Sequence, residues 1–280
     1  MKRKLGFLFF FLCLGCGDRA NLDLLYTLTE PVEVFDITPE VREKLKAYHS
    51  VYSDTAEQLK IEQKAYYKRY IDAEGITVVG PDLPDWYFIE ARRIILVMTS
   101  KRPELRETLS GDFYMIIPDP YLPFDIIPEV RASAVGKPRP FAVCNTHVNP
   151  IPKSKQVVGW CVGPIWQGNT ELFAHEFAHA LHTSIRILDS TFDDRLYRAY
   201  ENAVEDNLWT LHLYVLDNLA FPFSDYYKTN YKEYWAEVVK YWFHRVGHGH
   251  YFKTSQEFIE HDPQIGELIL KWFPEVSLSQ

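Results

Sequence analysis

The segment TELFAHEFAHALHTS, residues 170–184, contains two histidines and a glutamate in a run of alanine, leucine and phenylalanine. His175 and His179 are four residues apart, which on an α-helix places them about 40° apart around the axis and roughly 6 Å apart along it. Two imidazoles in this arrangement can bind one metal ion, and Glu176 lies beside them as a non-ligating base. This HExxH pattern is therefore the basis of a hypothesis, a zinc site with hydrolytic chemistry, and a third ligand is needed to decide it. The alternative is two core histidines bonded to backbone carbonyls, with Glu176 paired elsewhere.

A catalytic zinc ion has three protein ligands and an open position for water. The segment YYKTNYKEYWAEVVKYWF, residues 226–243, predicts a second helix, and its apolar residues indicate that this helix is buried. Two bare carboxylates, Glu233 and Glu237, would be costly there. Glu233 could complete the ligand set, and Glu237 could accept the free ring N–H of a ligating histidine. The alternative is a solvated helix face on which the glutamates pair with Lys232 or Lys240.

His182 is a rival third ligand, because it lies on the same helical face three residues after His179. Its ring would sit a further turn along the axis, beyond the point where the two motif histidines converge. Packing, or a bond behind the ligands, is therefore the favoured role for His182. The histidines at 244, 248 and 250 could also bind a metal, but their glycine-spaced arrangement is typical of a solvated loop.

These motifs resemble those of the gluzincin metallopeptidases. The second segment is more similar still to the catalytic domain of anthrax-lethal-factor-like peptidases. In that family a tyrosine precedes the ligand glutamate by seven residues, followed by Thr-Asn and then by Glu-aromatic-aromatic-Ala-Glu. Tyr226, Thr229-Asn230 and the stretch from Glu233 to Glu237 fit this pattern. The resemblance implies a zincin-like fold, Glu233 as the third zinc ligand and Tyr226 as a hydrogen-bond donor to the oxyanion.

The segments TNYKEYWAE and FIEHDPQIGELI also resemble a group of uncharacterised secreted bacterial proteins of the same superfamily. The resemblance implies one Zn²⁺ per chain and a metalloendopeptidase, rather than an exopeptidase, acting on a peptide or protein substrate. Zincins bind substrate along the edge strand beside the active helix, so VVGWCVG, residues 157–163, is the expected edge strand. A zinc-retaining surface binding or assembly protein with little or no turnover is the alternative function.

The elements that must position these residues follow an α+β pattern. Thr38 followed by Pro39 and Glu40 predicts a helix start, and the amphipathic pattern continues, with a break, to about Ala73. FYMIIP, FAVCN and QVVGWCVG predict strands, and the chain after the active helix predicts mainly helix. We expect a single zincin-like domain over residues 37–280, with a small mixed sheet and a mainly helical C-terminal part.

The N-terminus, MKRKLGFLFFFLCLGCGD, predicts export. Three basic residues precede an apolar run from Leu5 to Leu14, which is shorter than the roughly 20 residues needed to span a bilayer and fits a signal peptide. The LGC ending resembles a bacterial lipobox. We expect residues 1–15 to be a lipoprotein-type signal peptide, Cys16 to be lipidated and residues 16–36 to be a tether. Ordinary secretion is the alternative, because Cys13 stands where leucine is usual.

Charge and cysteine content agree with this location. The formal net charge of −8 becomes −11 without Lys2, Arg3 and Lys4, so electrostatics gives no reason to expect a nucleic-acid partner. Membrane contact is expected through the lipid anchor only, and the composition does not indicate an oligomeric state. Cys144 and Cys161 form an even pair in an exported domain, which is a disulfide candidate; two buried free thiols are the alternative.

The N-terminal pattern generates a direct test. We expect the chain made in its native host to start at Cys16 and to carry a lipid on that sulfur, as the lipobox pattern requires. Mass spectrometry of the N-terminal peptide measures both properties. An intact Met1 terminus would contradict export, whereas a cleaved but unmodified terminus would contradict lipidation alone.

Overall fold

The computed structural model describes residues 32–46, 56–133, 142–149, 155–166, 169–209, 215–216, 219–220, 223–244, 252 and 254–278. The chain from Glu33 to Gln280 forms one compact unit. The predicted signal peptide and the lipidation site at Cys16 lie outside the described residues. None of the helices that the structure describes combines the length and hydrophobicity required to cross a lipid bilayer.

A six-stranded mixed sheet lies at the centre of this unit. Its strands are β1 (Phe35–Asp36), β2 (Arg69–Ala73), β3 (Ile76–Gly80), β4 (Phe113–Ile116), β5 (Val143–Val148) and β6 (Val157–Val162). Their order in space is β1-β2-β3-β4-β6-β5. The pairs β3–β4 and β4–β6 are parallel, and the other pairs are antiparallel. A separate two-stranded ribbon contains β7 (Val215–Leu216) and β8 (Leu219–Ala220).

Helices surround the sheet and make up most of the C-terminal part that the structure describes. They are α1 (Pro39–Lys46), α2 (Ala56–Tyr66), α3 (Asp85–Thr99), α4 (Glu104–Leu109), α5 (Pro128–Ser133), α6 (Glu171–Leu188), α7 (Phe192–Glu205), α8 (Tyr231–Phe243), α9 (Ser255–His261) and α10 (Pro263–Trp272). The predicted α+β class, with a mixed sheet followed by a mainly helical part, is confirmed at this level.

Side-chain alternation along the strands gives the sheet two buried faces. On one face, Tyr114, Ile116, Trp160 and Val162 join a core with apolar residues of α1 and α5. On the other face, the neighbouring residues Met115 and Cys161 are also fully buried. The helix α3 packs against β2 and β3, and α6 packs against β5 and β6. Because α6 follows β6 directly, the sheet fixes the position of the HExxH helix.

Glu129, in α5, is a fully buried carboxylate beneath the first face of the sheet. Its Oε1 accepts hydrogen bonds from Gln63 Nε2 at 2.7 Å and from the Tyr114 hydroxyl at 2.8 Å. Its Oε2 accepts a short hydrogen bond from the Tyr67 hydroxyl. Burial raises the pKa of Glu129 despite these donors. Both carboxylate oxygens are therefore satisfied, and the cluster ties α2 and α5 to β4.

Two predictions near the N-terminus are wrong. The amphipathic pattern does not continue as helix to Ala73, because residues 69–73 form β2. That strand turns through Glu74 and Gly75, both at positive φ, into β3. The tether does not extend to residue 36 either, because Phe35 and Asp36 pair with β2. Strand pairing over a tight turn outweighs the local helical pattern here.

The predicted edge strand is also wrong. β6, which contains most of VVGWCVG, lies between β4 and β5, and β5 is the edge strand beside α6. Gly159 of β6 adopts a φ of 134°, and a Cβ atom there would lie 2.0 Å from the carbonyl oxygen of Asn145. This glycine lets the two strands approach closely. Cys144 and Cys161 face each other across the pair, and the structure joins them in a disulfide.

Candidate metal centre

The HExxH segment lies in the first half of α6, as its apolar periodicity predicts. The helix begins at Glu171, whose backbone N–H donates to Asn169 Oδ1 at 3.0 Å. Phe173, Phe177 and Leu181 are fully buried and face the core. The helix is therefore held rigidly on the sheet, and its remaining face presents His175 and His179 to the C-terminal helices.

The glutamate-bearing segment is not one continuous helix from residue 226. Tyr226 belongs to a 3₁₀ segment, Phe223–Thr229, and α8 begins only at Tyr231. Asn230 separates them as an N-cap, because its side-chain oxygen accepts from the backbone N–H groups of Lys232 and Glu233 at 2.9 and 3.1 Å. Asn230 thus starts the helix at the position that puts Glu233 in its first turn.

Packing between α6 and α8 brings the predicted ligands together. The indole N–H of Trp235, which is fully buried, donates to the carbonyl oxygen of Ala178 at 3.0 Å. This bond joins the middle of α6 to the first half of α8. It fixes the position of α8 along α6, and thereby the position of Glu233 relative to the two motif histidines.

Three potential ligand atoms converge at this junction. The Nε2 atoms of His175 and His179 are 3.2 Å apart, and each lies 3.3 Å from Oε2 of Glu233. A tetrahedral zinc site with bonds of about 2.0–2.1 Å has ligand atoms roughly 3.3–3.4 Å apart. The three atoms therefore form a triangle of the size that one face of such a site requires. Among the described residues they are the one group that could hold a metal ion in this way.

The electrostatics of the group also fit a cation. Oε2 of Glu233 is buried and has no hydrogen-bond partner in the described part of the chain. Burial opposes the ionisation of Glu233, but the two imidazoles outweigh it and lower its pKa. Burial likewise opposes protonation of His175, but Glu233 and Glu237 raise its pKa to about 9. These carboxylates therefore favour a positive charge at the site.

Glu237 lies behind the ligands, one turn after Glu233. Its Oε1 is 2.8 Å from Nδ1 of His175, while Nε2 of the same ring faces the ligand triangle. Its Oε2 accepts from Lys240 Nζ at 2.6 Å. Burial opposes the ionisation of Glu237, but Lys240 and His175 lower its pKa to about 2. The two partners that the sequence offered as alternatives for Glu237 are thus both present.

Glu176 and Tyr226 lie at the same junction without belonging to the ligand triangle. Glu176 is buried. Burial raises its pKa to about 8; His175 opposes this shift, and the charges of Glu233 and Glu237 add to it. The Tyr226 ring centre lies 6.0 Å from that of His175, and its side chain is 41% exposed. Burial, with the charge of Glu233, raises its pKa, so its hydroxyl keeps its proton and can act as a donor.

The rival histidines have other partners. His182 Nε2 lies 2.8 Å from Oδ1 of Asp193 in α7, which holds its ring away from the ligand triangle. His244 Nε2 lies 2.8 Å from the Thr170 hydroxyl, and its Nδ1 lies 3.0 Å from the carbonyl oxygen of Lys240. Both histidines connect neighbouring elements. The histidines at 248 and 250 lie outside the described residues.

Sequence reasoning missed three residues that build the site: Asn230 as a cap, Trp235 as the link between the helices, and Asp193 as the partner of His182. The cap had a local signal, an asparagine three residues before a glutamate at the start of an apolar run. The other two contacts connect separate helices and have no local signal.

No family model, curated protein or solved structure matched this chain. Function is therefore inferred from the site itself.

The ligand triangle predicts one zinc ion per chain. Replacing His175, His179 or Glu233 by alanine should abolish stoichiometric binding, because two ligands cannot hold the ion in a closed site. His182→Ala, outside the triangle, is the matched control and should keep the metal. Elemental analysis of purified proteins measures the content. Wild-type protein without zinc, or a Glu233→Ala protein with full zinc, would refute the ligand set.

The contact behind the ligands gives a second prediction. Glu237→Gln keeps the shape of the side chain but removes the charge that orients His175, so zinc affinity should fall by about 10- to 100-fold. Glu205→Gln, at an exposed position of α7, is the control and should bind zinc like the wild type. Competition with a chromogenic chelator measures both affinities. Equal affinity in the two variants would show that Glu237 has no such role.

Proposed function

We propose that this protein is a zinc-dependent endopeptidase that acts outside the cytoplasm. The observation that carries the proposal is the junction of α6 and α8. Three potential ligand atoms form a triangle there of the size that one face of a tetrahedral zinc site requires, and Glu176 lies beside it as a buried carboxyl. Structural zinc sites usually close with four protein ligands, whereas catalytic sites use three. Among the described residues the donor set is two histidines and one glutamate, which supports the second kind.

His175, His179 and Glu233 would hold the metal. A bound zinc ion supplies a Lewis acid that polarises the scissile carbonyl and lowers the pKa of water toward about 7. Glu176 accepts a proton from the attacking water and returns it to the leaving amine. The Tyr226 hydroxyl donates to the oxygen that gains negative charge, a contribution of about 3 kcal/mol for one well-placed donor. The charge of Glu237, 2.8 Å from Nδ1 of His175, favours the tautomer that leaves Nε2 free for the metal.

The edge strand β5 is the proposed binding surface for the peptide substrate. Its outer edge has no strand partner in the described ranges, so its backbone N–H and C=O groups can pair with an extended chain. Because β5 packs along α6, a peptide bound there passes the metal centre. The resemblance of the two motif segments to anthrax-lethal-factor-like peptidases favours an endopeptidase. The bond between Cys144 and Cys161 keeps the strand joined to its neighbour.

Two features support a location outside the cytoplasm. The N-terminal segment has the charge and apolar pattern of a lipoprotein signal peptide. The Cys144–Cys161 disulfide forms and persists in oxidising compartments rather than in the cytosol. We therefore place the domain on the outer side of a membrane, held by the lipid on Cys16.

Glu176→Gln separates an enzyme from a zinc-binding protein without turnover. The change should keep the fold and the zinc but remove the proton acceptor, so cleavage should fall by about 10²–10⁴-fold. Tyr226→Phe should lower turnover by about 10²–10³-fold, because it removes one oxyanion donor. Both variants are measured on a peptide library by mass spectrometry, with zinc content determined in parallel.

The matched controls are Glu205→Gln and Tyr197→Phe, both at exposed positions of α7, and they should cleave like the wild type. If zinc-loaded wild-type protein cleaves nothing across broad libraries, the surface binding or assembly function replaces the peptidase. If the wild type cleaves and Glu176→Gln is equally fast, the proposed role of Glu176 is wrong.

A further inference from the structure

A second cleft lies at the opposite end of α6 from the start of the HExxH segment. Its volume is about 420 Å³, and it opens where the end of β5, the start of β6 and the first turn of α7 meet the end of α6. The residues that line it are Val148, Lys155, Arg186, Ile187, Asp189, Ser190 and Asp193. None of them belongs to the ligand triangle, and the one link to its surroundings is Asp193, the partner of His182.

The cleft is aligned with the metal centre along α6. His179 and Arg186 are seven residues apart, which places them about 20° apart around the helix and about 10 Å apart along it. The strand β5 follows the same path. Thr146 Oγ1 lies 2.9 Å from Thr183 Oγ1, and two residues further on Val148 lines the cleft together with Ile187. An extended peptide along β5, at about 3.3 Å per residue, spans this distance with about three residues.

The first carboxylate in the cleft, Asp189, is fully occupied. Its Oδ1 accepts from the backbone N–H and the hydroxyl of Thr191 at 3.0 and 2.8 Å. Its Oδ2 accepts from Arg195 at 2.5 Å and from Lys271 at 2.7 Å. Burial opposes its ionisation, but these donors lower its pKa to about 2. Asp189 therefore has no capacity left to bind a basic ligand.

The second carboxylate, Asp193, is also occupied, whereas Lys155 and the terminal nitrogens of Arg186 are not. Oδ1 of Asp193 faces His182, and its Oδ2 accepts from Arg186 Nε at 2.6 Å. The two terminal nitrogens of Arg186 bind no group in the part of the chain that the structure describes, and its side chain is 42% exposed. Lys155 is exposed and has no partner among the same residues. The donors that remain for a ligand are positively charged.

We propose that this cleft is a specificity subsite for an acidic side chain of the peptide substrate, about three residues from the scissile bond. Lys155 and Arg186 recognise its carboxylate, and Arg186 can offer two parallel N–H donors to it. The inference rests on the proposed peptidase function. The chain as a whole is acidic, with a net charge of −8. The unoccupied cationic donors of the cleft therefore select where along β5 an acidic residue can be placed.

Peptide sets that vary one position at a time test the subsite. In each set, one of the five positions on either side of the scissile bond carries Glu, Gln or Lys, and the other positions are kept constant. We expect wild-type protein to cleave the Glu peptide about 3- to 10-fold faster than the Gln peptide at one position about three residues from the bond. The preference should shrink in 0.5 M NaCl, because salt screens partly exposed charges.

Lys155→Glu is the decisive variant, because Lys155 has no described partner whose loss could disturb the fold. The preference for Glu over Gln should disappear, and Lys should become favoured at the same position. Lys64→Glu, at an exposed position of α2, makes the same charge change elsewhere and should keep the wild-type preference. Equal rates for Glu and Gln peptides, or an unchanged preference in Lys155→Glu, would overturn the subsite.

Binding to zinc-loaded Glu176→Gln protein separates this inference from the peptidase proposal. Labelled Glu and Gln peptides are compared by fluorescence anisotropy, with and without the additional Lys155→Glu change. Tighter binding of the Glu peptide that depends on Lys155 supports the subsite even if the wild type cleaves nothing. Cleavage without any acidic preference leaves the peptidase intact and refutes the subsite. If no peptide is cleaved and none is bound selectively, both proposals are refuted.

Discussion

Burial of charged side chains between α6 and α8 is the constraint that organises this protein. Glu176 and Glu237 are buried, and Glu233 lies partly buried beside them. Isolated charges in such a place are costly unless they are paired or bind a metal. His175 and Lys240 neutralise Glu237, and the ligand triangle supplies a place for a cation. The aromatic packing of α8 and the bond from Trp235 hold the two helices at the distance this compensation requires.

The buried carboxylate of Glu129 provides an internal comparison. It is as inaccessible as those at the junction, yet its two oxygens accept three hydrogen bonds from neutral donors. Neutral donors are enough to satisfy it, and no second group of ligand atoms lies nearby among the described residues. Glu233 differs in both respects, because its Oε2 has no hydrogen-bond donor and faces two imidazoles. The contrast separates a carboxylate that supports the fold from one that can bind a metal.

The sequence was informative where function depends on spacing within one helix. The four-residue intervals from His175 to His179 and from Glu233 to Glu237 place each pair on one helical face, whatever the rest of the fold does. Whether the histidine pair and the glutamate pair meet depends on how α8 docks on α6, and no local sequence pattern specifies that. The same limit explains the edge strand. Apolar runs predicted strands at residues 141–145 and 156–163, but the order of strands in a sheet is set by distant pairings.

Fifty-four positions separate His179 from Glu233, and the metal centre needs only the two helices that carry them. The entropy of closing a loop grows slowly with its length, at about 0.6 kcal/mol for each doubling. The parts of the connection that lie outside α7 can therefore gain or lose residues in the course of evolution at little cost, whereas a shift of one residue within α6 or α8 would rotate a ligand out of the triangle. Descendants of a common ancestor would then retain two short conserved segments joined by a chain of freely varying length. Their kinship would be visible in the register of those segments rather than in overall similarity.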